Sequence, residues 1–284
     1  MILLDFNQVC IANLMAQLGN HTNTEIEENL LRHMVLNTIR SLRSKFCEEY
    51  GELIICCDDK KVWRKEVFKY YKANRKKARE ESELDWNAVF NALNHIKAEL
   101  KEFFPYRVVQ IEGAEADDVI GAITIANGNM LNTGEKILIL SGDKDFGQLQ
   151  VFGNVKQYDP VRKKDIKHAD PVKFTRELIL KGDIGDGIPN ILSPDDCLVN
   201  KVRQKPMRLE KYSHLRNPRQ ELKEEQLRNW IRNEQLIDLT FIPEDIQNKI
   251  LQLYESEAGK GRSKLFNYFV SHKLKLLIES INEF

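Results

Sequence analysis

The sequence has no stretch of about 18 consecutive apolar residues, so no membrane-spanning helix is expected. It runs from Met1 straight to an acid at Asp5, which argues against a secretory leader. Cysteine is scarce: there are five, an odd number, and Cys10, Cys47, Cys56, Cys57 and Cys197 show no C-x-x-C spacing. That excludes a disulfide framework and a thiolate zinc site, and it fits a reducing, cytoplasmic compartment. The six histidines are scattered without metal-ligand spacing. Neither a G-x-x-x-x-G-K-[ST] phosphate loop nor a nucleophile elbow occurs, which disfavours nucleotide hydrolysis and serine-nucleophile chemistry. An excess of one charge is missing too, since 43 Lys and Arg balance 43 Asp and Glu. Neutrality argues against a nucleic-acid partner only if the two signs are evenly spread.

What is present is a 284-residue chain that is 42% hydrophobic, enough for a sizeable core and too apolar for disorder. Strand-length apolar runs occur at 2–4, 53–57, 107–111 and 137–140. Helical spacing lies between them: Leu30, Leu31, Met34, Val35, Thr38, Ile39 and Leu42 give one apolar face, and Val89, Phe90, Leu93, Ile96, Leu100, Phe103 and Phe104 another. Alternating strands and helices predict an α/β fold, with a mostly parallel central sheet and helices on both faces. Past residue 171 helical patterns dominate, at 172–181, 222–238, 244–256 and 264–281. The expected division is an α/β domain over 1–180 and a helical subdomain over 181–284.

The charges are not evenly spread. Residues 60–79 carry ten Lys or Arg and one acid, interleaved with Trp63, Phe68, Tyr70 and Tyr71. Residues 201–219 carry seven and one. Cations among aromatics suit a single nucleic-acid strand; a solvated helix face with its aromatics in the core is the bland alternative. The acids gather elsewhere. Ligands of an open parallel sheet bind beyond the carboxyl ends of its strands. There the sequence places Asp5, then Asp58 and Asp59, then Glu115, Asp117 and Asp118, then Asp143 and Asp145. Asp183 and Asp186 follow in a Gly-rich turn. A lone Asp after a strand is ordinarily an N-cap, but caps do not need pairs and triples. So many converging carboxylates repel one another unless a divalent cation joins them. All-oxygen ligands favour Mg²⁺ or Mn²⁺, and two ions about 4 Å apart are the usual clamp for phosphodiester cleavage.

The motifs LLDFNQ (3–8), CCDD (56–59), YKANRKKAR (71–79), AEADDVIG (114–121), LSGDKDFGQL (140–149) and GDIGDGIPN (182–190) together resemble the flap endonuclease/5′-3′ exonuclease family. The resemblance implies a PIN-like 5′ nuclease fold, with a basic arch at about 60–80 and a helix–two-turns–helix element over 174–200 whose second helix starts at Pro194. It implies a first metal on Asp5, Asp58, Glu115, Asp117 and Asp143, and a second on Asp145, Asp183 and Asp186 with Asp118 nearby. Lys72 and Arg75 match the arch residues that reach the scissile phosphate. Tyr71 becomes a candidate for stacking on a base, and Lys76, Lys77 and Arg79 for phosphate contacts. The turn at Gly182, Gly185 and Gly187 would hold duplex backbone through its N–H groups, with a K⁺ on its carbonyls. One departure is Gly187, where the family commonly has Asn.

The implied activity is removal of RNA primers and adjacent DNA from 5′ ends during replication, with cleavage of flap, forked or nicked duplexes and RNA–DNA hybrids. Implied partners are a phage single-stranded DNA-binding protein and a sliding clamp. The protein would be a monomer in the host cytoplasm. Two rival readings use the same acids: a Mg²⁺-dependent phosphohydrolase of a small substrate, and a non-catalytic branched-DNA-binding module.

Overall fold

The computed structural model describes residues 1–19, 27–128, 130, 134–215 and 217–284, with Lys76, Lys77 and Ala78 described by backbone alone. The strands are β1 (Ile2–Asp5), β2 (Leu53–Cys56), β3 (Arg107–Val109), β4 (Ile137–Leu140), β5 (Val155–Asp159) and β6 (Lys164–Ile166). They form one sheet in the order β3-β2-β1-β4-β5-β6, parallel except for the β5–β6 pair. The four apolar runs are thus four adjacent strands, parallel as expected, and the structure places β1 between β2 and β4. β5 and β6 were not anticipated; VKQYD and KDI are polar enough to hide among loops.

The helices are α1 (Phe6–Leu18), α2 (Glu28–Tyr50), α3 (Arg64–Val67), α4 (Ala73–Glu80), α5 (Trp86–Phe103), α6 (Ala116–Asn127), α7 (Pro171–Lys181), α8 (Pro218–Glu221), α9 (Glu224–Ile237), α10 (Glu244–Ser256), α11 (Leu265–Ser271) and α12 (Lys275–Ile278). Strand alternation sorts the sheet's side chains into two cores. Ile2, Leu4, Leu53, Ile55, Leu138 and Leu140 pack with α1, α2 and α5 on one face, joined by α11, α12 and Phe284. Leu3, Ile54, Val109, Ile137 and Ile139 pack on the other face with α6 and α10. A third core unites Phe68 and Tyr71 of the basic segment with α7, α9 and the Gly-rich turn. The helical last third is therefore shared among all three cores.

One expected helix is missing. From Pro194 the chain forms consecutive turns, closed by Cys197 N to Pro194 O and Asn200 N to Asp196 O, and Asp195 is paired with Arg228 and Arg232 of α9.

Candidate active site

The acids meet at the carboxyl end of β1, β2 and β4, and most double as caps. Asp5 caps α1, accepting from Gln8 N at 3.3 Å, while its Oδ2 accepts from Ser141 Oγ at 2.9 Å. Asp58 accepts from Asn7 Nδ2 at 2.7 Å and from Ala116 N, in the first turn of α6, at 2.8 Å. Asp143 caps the 3₁₀ turn over Lys144–Val151 through Asp145 N at 3.0 Å. Capping and clustering are thus one arrangement, because parallel strands feeding helices place cap positions on the same rim. Asp59 is spent on its own turn and on the segment after β3, accepting from Lys61 N and from Gly113 N and Gln110 Nε2.

The electrostatics show the crowding. Burial, then Asp58 and Asp143, push the Asp5 carboxyl up to about 8. Burial and Asp143 push Asp145 up to about 7, and raise Asp117 well above the carboxylate range. Glu115 goes the other way: burial would raise it, but Lys72 and Arg64 outweigh that and hold it low. Its Oε1 accepts from Lys72 Nζ at 2.6 Å; its Oε2 accepts from Arg64 Nη1 at 3.0 Å and Tyr71 Oη at 2.9 Å.

The Gly-rich turn completes the rim. Asp183 pairs with Lys144, and Asp186 with Arg75 and, at 3.6 Å, Lys72. The basic segment is laced to this turn: Lys72 N donates to Asp186 O at 2.7 Å, Asn74 Nδ2 to Ile184 O at 2.9 Å and Arg75 Nε to Gly185 O at 3.2 Å. Lys72 sits at φ +55°, a left-handed conformation costly for a long side chain and frequent where function fixes geometry. A cleft of about 770 Å³ opens beside these groups, and its lining includes Asn7, Asp58, Lys72 and Glu115 together with Arg75, Arg79, Trp86 and Phe90.

Several expected roles need correction. Asp118 is fully buried; Trp63 Nε1, Arg64 and Glu115 N take up its oxygens, so it braces the N-terminus of α6. Tyr71 is 3% exposed, with its hydroxyl on Glu115 and Asp186, which leaves no ring face for a base. Trp63 and Phe68 are likewise core, and the aromatics lining the cleft are Trp86 and Phe90 of α5, with the Arg79 guanidinium 4.7 Å from the Phe90 ring centre. Gly182 and Gly187 spend their N–H groups on Leu178 O and Ile184 O; of the three glycines only Gly185 keeps its own outside such bonds among the described residues. The turn's carbonyls at Ile184, Gly185 and Asp186 accept from Asn74, Arg75 and Lys72. The side chains of Lys76 and Lys77 lie outside the described residues.

Sequence reasoning missed three polar residues here. Arg64 is buried against Glu115 and Asp118, Lys144 bridges Asp183 and, at 3.5 Å, Asp145, and Gln148 bonds Asp145 O. The one available signal was position: Lys144 stands between two site acids, and Gln148 closes the same motif.

Residues 1–178 match the family described as 5′-3′ exonuclease, N-terminal resolvase-like domain, and residues 174–284 match that described as T4 RNase H, C terminal. The chain belongs to the 5′-3′ exonuclease family. It is thereby a nuclease, of the hydrolase class. Among its relatives, the ribonuclease H of Enterobacteria phage T4 is 34% identical over 294 residues, spanning 99% of this chain and 95% of that one. A 5′-3′ exonuclease of Buchnera aphidicola is 28% identical over 165 residues, 55% of this chain. Among solved structures, the bacteriophage T5 flap endonuclease with DNA and metal ions superposes at a TM-score of 0.61 and 18% identity, covering 89% of this chain and 98% of that one. That likeness bears out the expected fold.

A divalent-metal site fits these residues. The donors are all hard carboxylate oxygens, Asp5, Asp117 and Asp145 are pushed up by burial and by neighbouring acids that include Asp143 in each case, and the buried Asp145 Oδ1 has no hydrogen-bond partner. As they stand, no three of the described acids surround a common point; Lys72, Arg75 and Lys144 lie on them. A divalent ion would have to displace those cations.

Proposed function

We propose that the nuclease cleaves phosphodiester bonds at the 5′ ends of flap, forked and nicked duplexes and of RNA–DNA hybrids, so removing RNA primers and adjacent DNA during replication. One observation carries this reading: Lys72 and Arg75, from the segment richest in cations, lie on Glu115 beside the strand ends and on Asp186 of the Gly-rich turn, and both line a cleft of about 770 Å³. The small-substrate phosphohydrolase does not require that juxtaposition, and the set of acids speaks against a binding module without catalysis.

Asp5, Asp58, Glu115, Asp117 and Asp143 would hold one Mg²⁺ or Mn²⁺, and Asp145, Asp183 and Asp186 a second. When bound, such ions supply Lewis acidity to the phosphodiester and to the attacking water. Lys72 and Arg75 then have a new partner in the scissile phosphate, whose charge grows in the transition state. Arg79 and Phe90 would hold the strand beyond it, one on phosphate and one on a base. Residues 1–180 would carry the chemistry and 181–284 most of the duplex grip, with Gly185 offering one N–H to the backbone. A K⁺ at that turn would share its carbonyls with the arch donors. A monomeric, cytoplasmic enzyme working beside a single-stranded DNA-binding protein and a sliding clamp fits the reading. Among the described residues no helix is long and apolar enough to cross a membrane.

The test is cleavage of a 5′-labelled flap, a nicked duplex and an RNA–DNA hybrid, with Mg²⁺ and with EDTA, by the wild type and by Asp143→Asn. Metal-dependent cutting near the junction that Asp143→Asn abolishes is expected. Undiminished cutting by the variant would overturn the assignment.

A further inference from the structure

Three of the acid-bearing segments are bonded to one helix, α9, through side chains that are not acids. Asn233 and Asn229 lie one turn apart on α9, and both are completely buried. Asn233 Nδ2 donates to Ile179 O at 2.8 Å and to Pro189 O at 2.9 Å, one carbonyl on each side of the turn that carries Asp183 and Asp186. Asn229 Nδ2 holds Ile191 O at 3.0 Å. At the end of α9, Gln148 Nε2 donates to Ile237 O at 3.0 Å and to Asp145 O at 2.8 Å, and its Oε1 accepts from Leu239 N at 2.8 Å. Arg64 Nε donates to Leu236 O at 2.8 Å while its guanidinium holds Glu115 and Asp118.

A buried amide is costly unless every polar atom finds a partner, and apolar side chains would fill this space without that demand. What the amides add is direction. Each fixes a backbone carbonyl within a few residues of a site acid, so α9 sets where Asp145, Asp183 and Asp186 stand relative to one another. Outer partners of this kind commonly govern metal affinity.

We propose that α9 is the positioning helix of the metal site, with Asn233 setting the Asp183–Asp186 turn and Gln148 setting the Asp143–Asp145 segment against the same end of the helix. The inference rests on the two-metal reading above. Asn233, Gln148 and Arg64 are positioning residues, since none needs to touch substrate.

The experiment is a titration of the free, full-length protein with Mn²⁺ followed by electron paramagnetic resonance, for the wild type, Asn233→Leu, Gln148→Met and the double variant. Circular dichroism and melting confirm that each is folded. A loss of Mn²⁺ affinity of about tenfold or more is expected for each single variant. The double variant should lose less than the product of the two, because both act through one helix. In cleavage assays the Mg²⁺ concentration for half-maximal rate should rise, with partial recovery of kcat at saturating metal. A role confined to stability would lower the melting temperature and leave the Mn²⁺ affinity of the folded variants within about twofold of wild type, and that result overturns the proposal. Should Asn233→Leu fail to fold, Gln148→Met carries the test, since it retains bulk and removes a single side chain's bonds. A wild type that binds no Mn²⁺ would overturn the metal site as well, which separates the two failures.

Discussion

Asp145→Asn is expected to stabilise the metal-free protein while abolishing its activity. The change keeps the side chain's shape and removes one charge from a crowded rim. Asp145 is pushed from 3.8 to about 7 by burial, then by Asp143, with Asp183 and Asp186 adding and Lys144 opposing. About three units at 1.36 kcal/mol each sets a ceiling of roughly 4 kcal/mol of destabilisation from the ionised form. The side chain keeps about a fifth of its exposure and Lys144 Nζ lies 3.5 Å away, so screening should reduce this to about 1–2 kcal/mol. At a melting entropy of about 2 cal/mol/K per residue, the variant should melt about 2–4 °C higher. The sign follows from proton uptake. The folded carboxyl binds its proton more tightly than the unfolded one, so the penalty is complete above about pH 7 and gone below about pH 4. The variant's advantage in EDTA should therefore be largest at about pH 8 and shrink toward pH 5. Excess Mg²⁺ should reverse the order, because an ion at a hundredfold excess over its Kd adds roughly 3 kcal/mol to the wild type and less to a variant lacking a ligand. Thermal melts across that pH range, with EDTA and with Mg²⁺, check all three statements. A variant less stable than wild type at alkaline pH in EDTA, or an equal Mg²⁺ gain in both, would refute the reasoning.

Lys72→Ala and Arg75→Ala should each lower kcat by about 10²–10³ with little change in KM, as measured by cleavage of a 5′-tailed duplex over a range of substrate concentrations. Arg64→Met leaves Glu115 and Asp118 buried without their counter-charge and should cost about 3–5 kcal/mol in denaturant unfolding. Gly187→Asn introduces the residue that the family resemblance leads one to expect and suits the φ of +73°, yet its Cβ would stand 2.8 Å from Tyr70 O. The variant should lose about 1–2 kcal/mol and shift Lys72, so both melting temperature and cleavage rate should fall. Ca²⁺ should tighten binding of forked DNA in a non-cleaving assay, and anisotropy that is flat across a Ca²⁺ titration would contradict the site's charge logic.

The sequence was legible wherever one residue type at one spacing has one use. Four apolar runs became four parallel strands, because Val, Ile and Leu in strand-length blocks have little else to do between helices. The acids were legible as a set because they recur after every such strand. What stayed hidden depends on which way a side chain turns. Trp63, Phe68 and Tyr71 sit among cations in sequence but inside cores in space, Trp63 in the second and the other two in the third, whereas Phe90, within an ordinary amphipathic helix, lines the cleft. Asp118 reads like Asp117, one residue away, but a 100° step around α6 points it at Trp63 and Arg64. Pro194 reads as a helix start, yet the Asp195 that follows is claimed by Arg228 and Arg232, and the chain turns instead. Asn229 and Asn233 carry no local signal at all, since their worth lies in carbonyls some forty residues away.

Neutrality, which first counted against nucleic acid, follows from how the site must work. The chain holds a dense acidic rim and a dense cationic segment, and in the metal-free fold each neutralises the other: Lys72 lies on Glu115, Arg75 on Asp186, Lys144 on Asp183. Neither set is spent by this pairing, because each has a better partner available. Carboxylates bind a divalent ion more strongly than an ammonium, and guanidinium and ammonium groups suit a phosphate. On the reading proposed above, metal and strand would together take over both sets of partners, and no charge would be left buried without one. A cluster of either sign alone would have to be assembled against its own repulsion; interleaved, they fold in a mutually screened state, from which the proposed function would have them exchange partners on binding.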